Sequence, residues 1–119
     1  AYPHDRIVDP IKIHRVKKDF PGLKLVASHL GAWEDWEEAE THLIGTKLFI
    51  EISYTLGILP DERVTALLSR HPEEYLLFGT DSPWDDQKRA LEHFLSLPLP
   101  DSLKEKMLYI NARRLLADA

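Results

Sequence analysis

Three short apolar stretches, separated by segments with helical periodicity, constrain the fold of this chain more than any other feature of its sequence. They are KLVASH (24–29), LFIEIS (48–53) and YLLFGTD (75–81). Apolar runs of this length with turn residues at their ends are typical of buried strands. The segments between them repeat apolar residues at helical spacing. Because strands that alternate with helices form parallel sheets, we predict an α/β fold.

Start and stop signals place the helices around these strands. Asp9-Pro10 supplies an N-cap and a first-turn proline, and Pro21-Gly22 ends the helix that follows. Residues 60–71 and 85–96 have helical apolar spacing, and one or two closing helices begin near Asp101. The predicted order is therefore α-β-α-β-α-β-α-α. A parallel sheet of three strands has exposed edges unless further strands pair with it.

Length and composition restrict the class of function. The 119 residues suit one domain, residues 1–119, with 44% hydrophobic and 29% charged residues. The net charge of −5 argues against a nucleic-acid partner, since phosphate binding needs a basic face. Without cysteine, the chain has no disulfide, thiolate metal site or cysteine nucleophile. No apolar run reaches the ~20 residues that span a membrane, and no signal-peptide pattern opens the chain, so we expect a cytoplasmic protein.

Polar residues lie at or near the C-terminal end of each predicted strand. They are His29, Glu51 or Ser53, and Asp81. In parallel α/β proteins, ligands and catalytic groups collect at this end of the strands. A neutral imidazole can activate water, and a carboxylate can hold a divalent metal or accept a proton. The pattern predicts a binding or catalytic site at this edge of the sheet.

Each of these residues also has a purely structural interpretation. A lone histidine at a strand end is common as a hydrogen-bonded core residue, Asp81 before Ser-Pro suits a turn or N-cap, and Ser53 suits a turn. The acidic run at 34–40 fits a solvated helix face. Glu51 differs, because an inward-facing carboxylate within a strand must be paired or hydrated. The convergence of His29 and Asp81 on one edge favours a site.

Four blocks of the sequence resemble the C-terminal half of the amidohydrolase-related metal-dependent hydrolases. These are TIM-barrel proteins that include the aminocarboxymuconate-semialdehyde decarboxylase-like enzymes. The blocks are FPGLKLVASHLGAW, LFIEISYTLG, YLLFGTDSPWDDQ and INARRLL, and together they cover nearly the whole chain. The resemblance implies a partial (β/α)8 barrel, in which the three strands correspond to the sixth, seventh and eighth.

The resemblance also implies roles for individual residues. His29 matches a histidine that activates the attacking water or binds metal, and Asp81 matches a metal ligand and proton acceptor. Weaker matches, to positions that line the substrate mouth, are Glu51, Ser53, Trp33 and Trp84. Glu51 stands where the family commonly has aspartate. The implied cofactor is a divalent metal, with zinc expected, and the implied substrate is a small molecule with a carbonyl-type group.

The chain departs from the family pattern in its missing ligands. It contains no His-x-His pair, the fifth-strand histidine is absent, and nothing places His4 at a strand end. A complete barrel needs roughly 250 residues, so this chain supplies about half. We expect a hydrolase in the complete protein, and an isolated chain that is inactive and binds no metal. Two alternatives stay open: a decarboxylase (lyase) of the same superfamily, and a non-catalytic half-barrel that pairs with a missing N-terminal half or as a homo-oligomer.

Overall fold

The computed structural model describes residues 8–32 and 34–117. Within these residues, helices and strands follow one another in the predicted order. The helices are α1 (Pro10–Asp19), α2 (Trp36–His42), α3 (Asp61–Arg70), α4 (Gln87–Ser96), α5 (Asp101–Glu105) and α6 (Asn111–Ala117), and the strands are β1 (Val26–Ala27), β2 (Phe49–Glu51) and β3 (Leu76–Leu77). Single 3₁₀ turns precede α2 and β3, and one π turn joins α5 to α6.

The strands form one open parallel sheet in the order β1-β2-β3. Val26 pairs with Phe49 in β2, and Ile50, also in β2, pairs with Leu76 in β3. The helices between the strands carry the chain back, so that all three strands point in the same direction. This arrangement confirms the α/β class and the parallel sheet predicted from the sequence.

The strands are shorter than the apolar stretches that predict them. The ladder of β1 stops at Ala27, two residues before His29, and that of β3 stops at Leu77, four residues before Asp81. His29 and Asp81 have φ of 57° and 58°. A residue in this left-handed region cannot continue a strand, so neither predicted end can belong to the ladder. β3 stops earlier, where the Phe78 N–H donates to the carbonyl of Met107 at 2.9 Å.

Helix boundaries agree with the capping signals to within two residues. Asp9 accepts a hydrogen bond from the Lys12 backbone N–H at 2.8 Å, and Pro10 opens α1, as predicted. Helix α4 begins at Gln87, after Asp86 accepts a hydrogen bond from the Arg89 backbone N–H at 2.8 Å. The N-cap of α4 is therefore Asp86, and the side chain of Asp81 does not serve this purpose.

The core lies between the sheet and the helices that cover it. Among its fully buried side chains are Ile50 and Leu76 from the sheet, Val64 from α3 and Phe94 from α4. Burial of a side chain of this size contributes about 1.5–3 kcal/mol to folding. The core thereby fixes β2 in the middle of the sheet and sets the positions of the loops that follow the strands.

Two buried polar residues join helix ends to strands. His71, just after α3, accepts a hydrogen bond at Nδ1 from the Gly45 N–H (3.1 Å) and donates from Nε2 to the Leu48 carbonyl (2.8 Å). Burial lowers the pKa of His71, which keeps the imidazole neutral. Asn111 opens α6 and donates to the carbonyl of Leu76 at 2.8 Å. These bonds replace water at backbone groups that the fold removes from solvent.

Candidate functional site

The residues that follow the three strands share an unusual backbone conformation. His29 after β1, Tyr54 after β2 and Asp81 after β3 have φ of 57°, 59° and 58°. Non-glycine residues avoid this region, and each such residue costs about 1–3 kcal/mol unless its surroundings stabilise it. Backbone strain of this kind gathers at ligand-binding and catalytic sites. Its occurrence at the C-terminal end of each strand supports a site at this edge.

A chain of hydrogen bonds joins His29, Ser53 and Glu51. Nδ1 of His29 lies 3.0 Å from the carbonyl oxygen of Ser53 and 2.9 Å from its Oγ. The Ser53 hydroxyl donates to Oε2 of Glu51 at 2.9 Å, and the Ser53 backbone N–H donates to Oε1. Sequence reasoning placed these residues at one edge but did not predict that they contact one another.

The hydrogen-bond pattern places a ring hydrogen of His29 on Nδ1. A carbonyl oxygen can only accept, so Nδ1 must carry the hydrogen that faces the Ser53 carbonyl. The hydroxyl proton of Ser53 goes to Glu51, so Oγ can also accept from Nδ1–H. In the neutral form of the ring, Nε2 is then the nitrogen that carries no hydrogen. The arrangement orients the imidazole in the way that a carboxylate orients a catalytic histidine.

Glu51 is paired, as an inward-facing carboxylate within a strand requires. It ends β2 opposite Leu77, and its side chain lies against Gly79 on the neighbouring segment. A Cβ atom at Gly79 would lie 2.6 Å from Oε1 of Glu51. A side chain at position 79 would therefore force the Glu51 side chain to move. Sequence reasoning missed this contact between Gly79 and Glu51. The available signal was a glycine two residues after Leu77, on the same face of the predicted strand.

Asp81 differs from Glu51 because its carboxylate is exposed. Its backbone carbonyl accepts a hydrogen bond from the Trp84 N–H at 2.9 Å, which closes the turn predicted for Asp-Ser-Pro. No hydrogen bond or ion pair among residues 8–32 and 34–117 involves the Asp81 carboxylate. The turn is thus made by the backbone, and the Asp81 side chain is exposed.

The remaining predicted site residues lie in different surroundings. Ser53 is 4% exposed and lies beneath His29, whereas Trp84 is 77% exposed on the loop before α4. Trp33 and His4 lie outside the described residues. The roles of these residues in substrate binding stay predictions.

The described part of the chain does not assemble a metal site by itself. No group of three His, Asp or Glu side chains in that part could hold a metal ion. His29 and Asp81 offer one nitrogen and one carboxylate donor, and the Glu51 carboxylate is engaged with Ser53.

A cleft of about 280 Å³ opens beside this edge, between the loop after β2 and the start of α4. The residues that line it are Tyr54, Leu56, Gly57, Ile58, Trp84, Asp85, Arg89, Ala90 and His93. The ring of Tyr54 packs edge-on against the ring of His29, with centroids 5.9 Å apart. On the other wall, the backbone N–H of Trp84 donates to the carbonyl of Asp81. Each wall of the cleft therefore contacts one of the predicted site residues.

Three parallel strands that alternate with helices are the arrangement of part of a TIM barrel. The family model described as "Amidohydrolase" matches residues 6–117. The chain therefore belongs to the amidohydrolase family, which confirms the resemblance drawn from the four sequence blocks. A search of curated proteins gives no match.

Solved structures show the same partial barrel. An uncharacterized TIM-barrel protein from Bordetella bronchiseptica is 33% identical, with a TM-score of 0.75 over 91% of this chain and 39% of its own. A dihydroxybenzoic acid decarboxylase from Polaromonas sp. JS666, with bound manganese and the inhibitor 2-nitroresorcinol, is 14% identical, with a TM-score of 0.68 and coverage of 91% and 39%. For the 5-carboxyvanillate decarboxylase from Sphingomonas paucimobilis, the identity is 17%, the TM-score 0.62 and the coverage 84% and 35%. The two decarboxylases share the fold, and the chain spans less than two fifths of each of the three proteins.

Proposed function

We propose that this chain supplies the C-terminal strands of the active site in a metal-dependent hydrolase of the amidohydrolase family. In this proposal, His29 transfers a proton at Nε2, and Asp81 binds a divalent metal. The observation that carries the proposal is the hydrogen-bonded chain from Glu51 through Ser53 to His29. We further propose that this domain, residues 1–119, forms strands six to eight of a complete barrel.

His29 is equipped to accept and return a proton. Its basic Nε2 takes the proton of the attacking water, and the Nδ1–H stays hydrogen-bonded to Ser53 in the imidazolium that forms. The negative charge of Glu51 stabilises this imidazolium through the Ser53 hydroxyl. General acid–base catalysis by a positioned side chain is worth about 10²–10⁴-fold in rate.

The donors of this chain fit a divalent cation, with the other ligands coming from the rest of the barrel. A carboxylate oxygen and an imidazole nitrogen are ligands that zinc and manganese both accept. The exposed carboxylate of Asp81 would hold the cation, and His29 would be a second donor only in the alternative in which its Nε2 binds the metal and another group accepts the proton. When bound, the metal would polarise the carbonyl of the substrate. Zinc is our proposal, and manganese is the alternative supported by the Polaromonas decarboxylase.

Elemental mass spectrometry and turnover of the complete barrel test this proposal. We expect Asp81→Asn to lose both metal and turnover, because an amide is a poor ligand for a divalent cation. Asp19→Asn, which removes the same charge from the exposed end of α1, is the matched control. Unchanged metal content and turnover in Asp81→Asn would contradict the proposed function.

Non-oxidative decarboxylation of an aromatic acid is the second candidate. Two solved proteins with this fold are decarboxylases of aromatic acids. Arg89, which lines the adjacent cleft together with Asp85, is the residue of this chain that would meet an acidic substrate. A panel of esters, amides and aromatic acids, assayed for CO₂ as well as hydrolysis products, separates the candidates. A lack of CO₂ release from every aromatic acid would rule out decarboxylation.

A further inference from the structure

We infer that the π turn between α5 and α6, Lys106–Ile110, replaces a neighbouring strand at the outer edge of β3. The backbone carbonyl of Met107 and the side-chain amide of Asn111 take the hydrogen bonds that another strand would otherwise make at this edge. This role goes beyond the proposed function, because it involves neither metal nor turnover. It determines which edge of the sheet can accept a further strand.

The backbone groups of β3 point alternately toward β2 and away from it. The Ile52 N–H, just after β2, donates to the Leu77 carbonyl at 3.3 Å, so Leu77 faces β2. Successive residues of a strand direct their N–H and C=O groups to opposite sides. Leu76 and Phe78 therefore direct these groups to the outer edge of β3, where a further strand of a parallel sheet would pair with them.

Two of these outward-facing groups are bonded to the C-terminal helices. The Phe78 N–H donates to the Met107 carbonyl at 2.9 Å. The Leu76 carbonyl accepts a hydrogen bond from Nδ2 of Asn111 at 2.8 Å. A carbonyl oxygen and an amide N–H are the groups that the backbone of an adjacent strand would present. The edge of β3 is thus occupied by the chain itself, which leaves β1 as the edge that can accept a strand from another molecule.

The π turn releases the carbonyl to which Phe78 is bonded. In a regular α-helix the Asn111 N–H would donate to the Met107 carbonyl, four residues back. Here the Asn111 N–H donates to the Lys106 carbonyl, five residues back, so it leaves the Met107 carbonyl to another donor. Single π turns inside helices are frequent at functional positions. The contact with β3 gives the extra residue of this helix a structural purpose.

Asn111 contributes the two hydrogen bonds that its amide donates. Nδ2 donates to the carbonyls of Leu76 and Glu73, at 2.8 and 2.7 Å, and the residue is fully buried. Oδ1 has no hydrogen-bond partner among the described residues. Because burial of an unpaired oxygen is unfavourable, an apolar side chain would suit this position better if the two donated bonds did not matter. These bonds attach the start of α6 to the edge of β3.

Native-state hydrogen exchange of the 119-residue chain, followed by nuclear magnetic resonance, tests this role. The N–H groups of Phe78 and Ile52 should both exchange slowly, because each is bonded within the fold. Asn111→Leu removes the two donated bonds at similar volume. We expect it to accelerate exchange at Phe78 by about tenfold more than at Ile52, since one hydrogen bond changes an opening equilibrium roughly two- to tenfold. His71→Asn, which breaks a buried bond to the Leu48 carbonyl, is the control and should affect both amides equally. Equal acceleration of both amides in Asn111→Leu would overturn the inference.

Deletion of Tyr109 tests the π turn separately. With one residue fewer, the helix can run in regular α-helical register, in which the Ala112 N–H takes the Met107 carbonyl. The Phe78 N–H should then exchange faster relative to that of Ile52. Tyr109→Ala keeps the length of the turn and removes only an exposed side chain, so this control should leave the ratio of the two exchange rates unchanged. The same ratio in both variants, or rapid exchange of the Phe78 N–H in the parent chain, would contradict the role of the π turn.

Discussion

Ser53 shows how much a single side chain contributes at the proposed site. Its hydroxyl, backbone N–H and carbonyl contact Glu51 and His29, and the residue is almost completely buried. The sequence places Glu51 and Ser53 on one strand face and His29 on the neighbouring strand, because side chains alternate in direction. Which atoms meet depends on the register of β1 against β2 and on the turn at His29. Neither can be predicted from apolar periodicity.

Gly79→Ala tests the packing around Glu51. The added methyl group would lie 2.6 Å from Oε1 and push the carboxylate away from Ser53. We expect a loss of about 1–3 kcal/mol in the free energy of unfolding, as for other overpacked sites. Urea denaturation measures this loss.

Gly22→Ala is the matched control for Gly79→Ala, because a Cβ at Gly22 meets no atom within 4 Å. Its free energy of unfolding should stay close to that of the parent chain. Equal stability of the Gly79→Ala and Gly22→Ala variants would show that Glu51 can move aside without cost.

At the scale of elements, the sequence predicts which helices and strands exist, and in what order, better than it predicts the residues at which they end. The three strands and the helices between them lie where the periodicity places them, but the strands lose residues at both ends. Three aspartates, at positions 81, 85 and 86, precede α4, and each has the chemistry of an N-cap. Asp86 takes that role because its carboxylate reaches the Arg89 N–H. Local chemistry alone does not distinguish these three residues.

His71 joins the end of α3 to the start of β2, and this connection should be sensitive to acid. Burial lowers the pKa of His71 below its ordinary value, so the folded state favours the neutral ring. Stability from this residue is complete above about pH 6.5, the unfolded value, and declines at lower pH because the unfolded chain binds a proton that the folded chain excludes. Urea denaturation as a function of pH measures this decline.

His71→Asn should remove this part of the pH dependence and lower stability at neutral pH, because the Leu48 carbonyl loses its partner. The exposed His14, substituted in the same way, is the control, and its pH dependence should match that of the parent chain. An identical slope below about pH 6.5 in the parent and His71→Asn chains would contradict the assignment.

The described residues contain one open sheet of three strands, and the solved structures that this chain resembles are longer chains. β1 lies at one edge, where Val26 is 41% exposed. In the described ranges, no helix has the length and apolar character needed to cross a membrane. The amidohydrolase family and the partial barrel could be predicted because the four sequence blocks span nearly the whole chain. The metal and its remaining ligands could not be predicted, because this chain supplies two candidate donors. Its described residues contain no cluster of three such side chains.

An edge strand presents N–H and C=O groups with which another chain can pair. We expect the 119-residue chain to self-associate as its concentration rises, as measured by sedimentation velocity. Val26→Lys should weaken this association by placing a charge on the edge strand. Leu95→Lys, at a 47% exposed position on α4, should have little effect. A folded monomer at every concentration would argue against assembly through β1.

The left-handed residues at the three strand ends have a consequence for laboratory evolution. Glycine adopts this backbone region without a steric penalty, so replacement of His29, Tyr54 or Asp81 by glycine would relieve strain. Selection for heat resistance alone would therefore favour glycine at positions that include His29 and Asp81, whose side chains the proposed chemistry needs. Such a selection would yield a more stable chain that lacks side chains of the proposed site. The gain in melting temperature would measure the stability that this protein loses by keeping them.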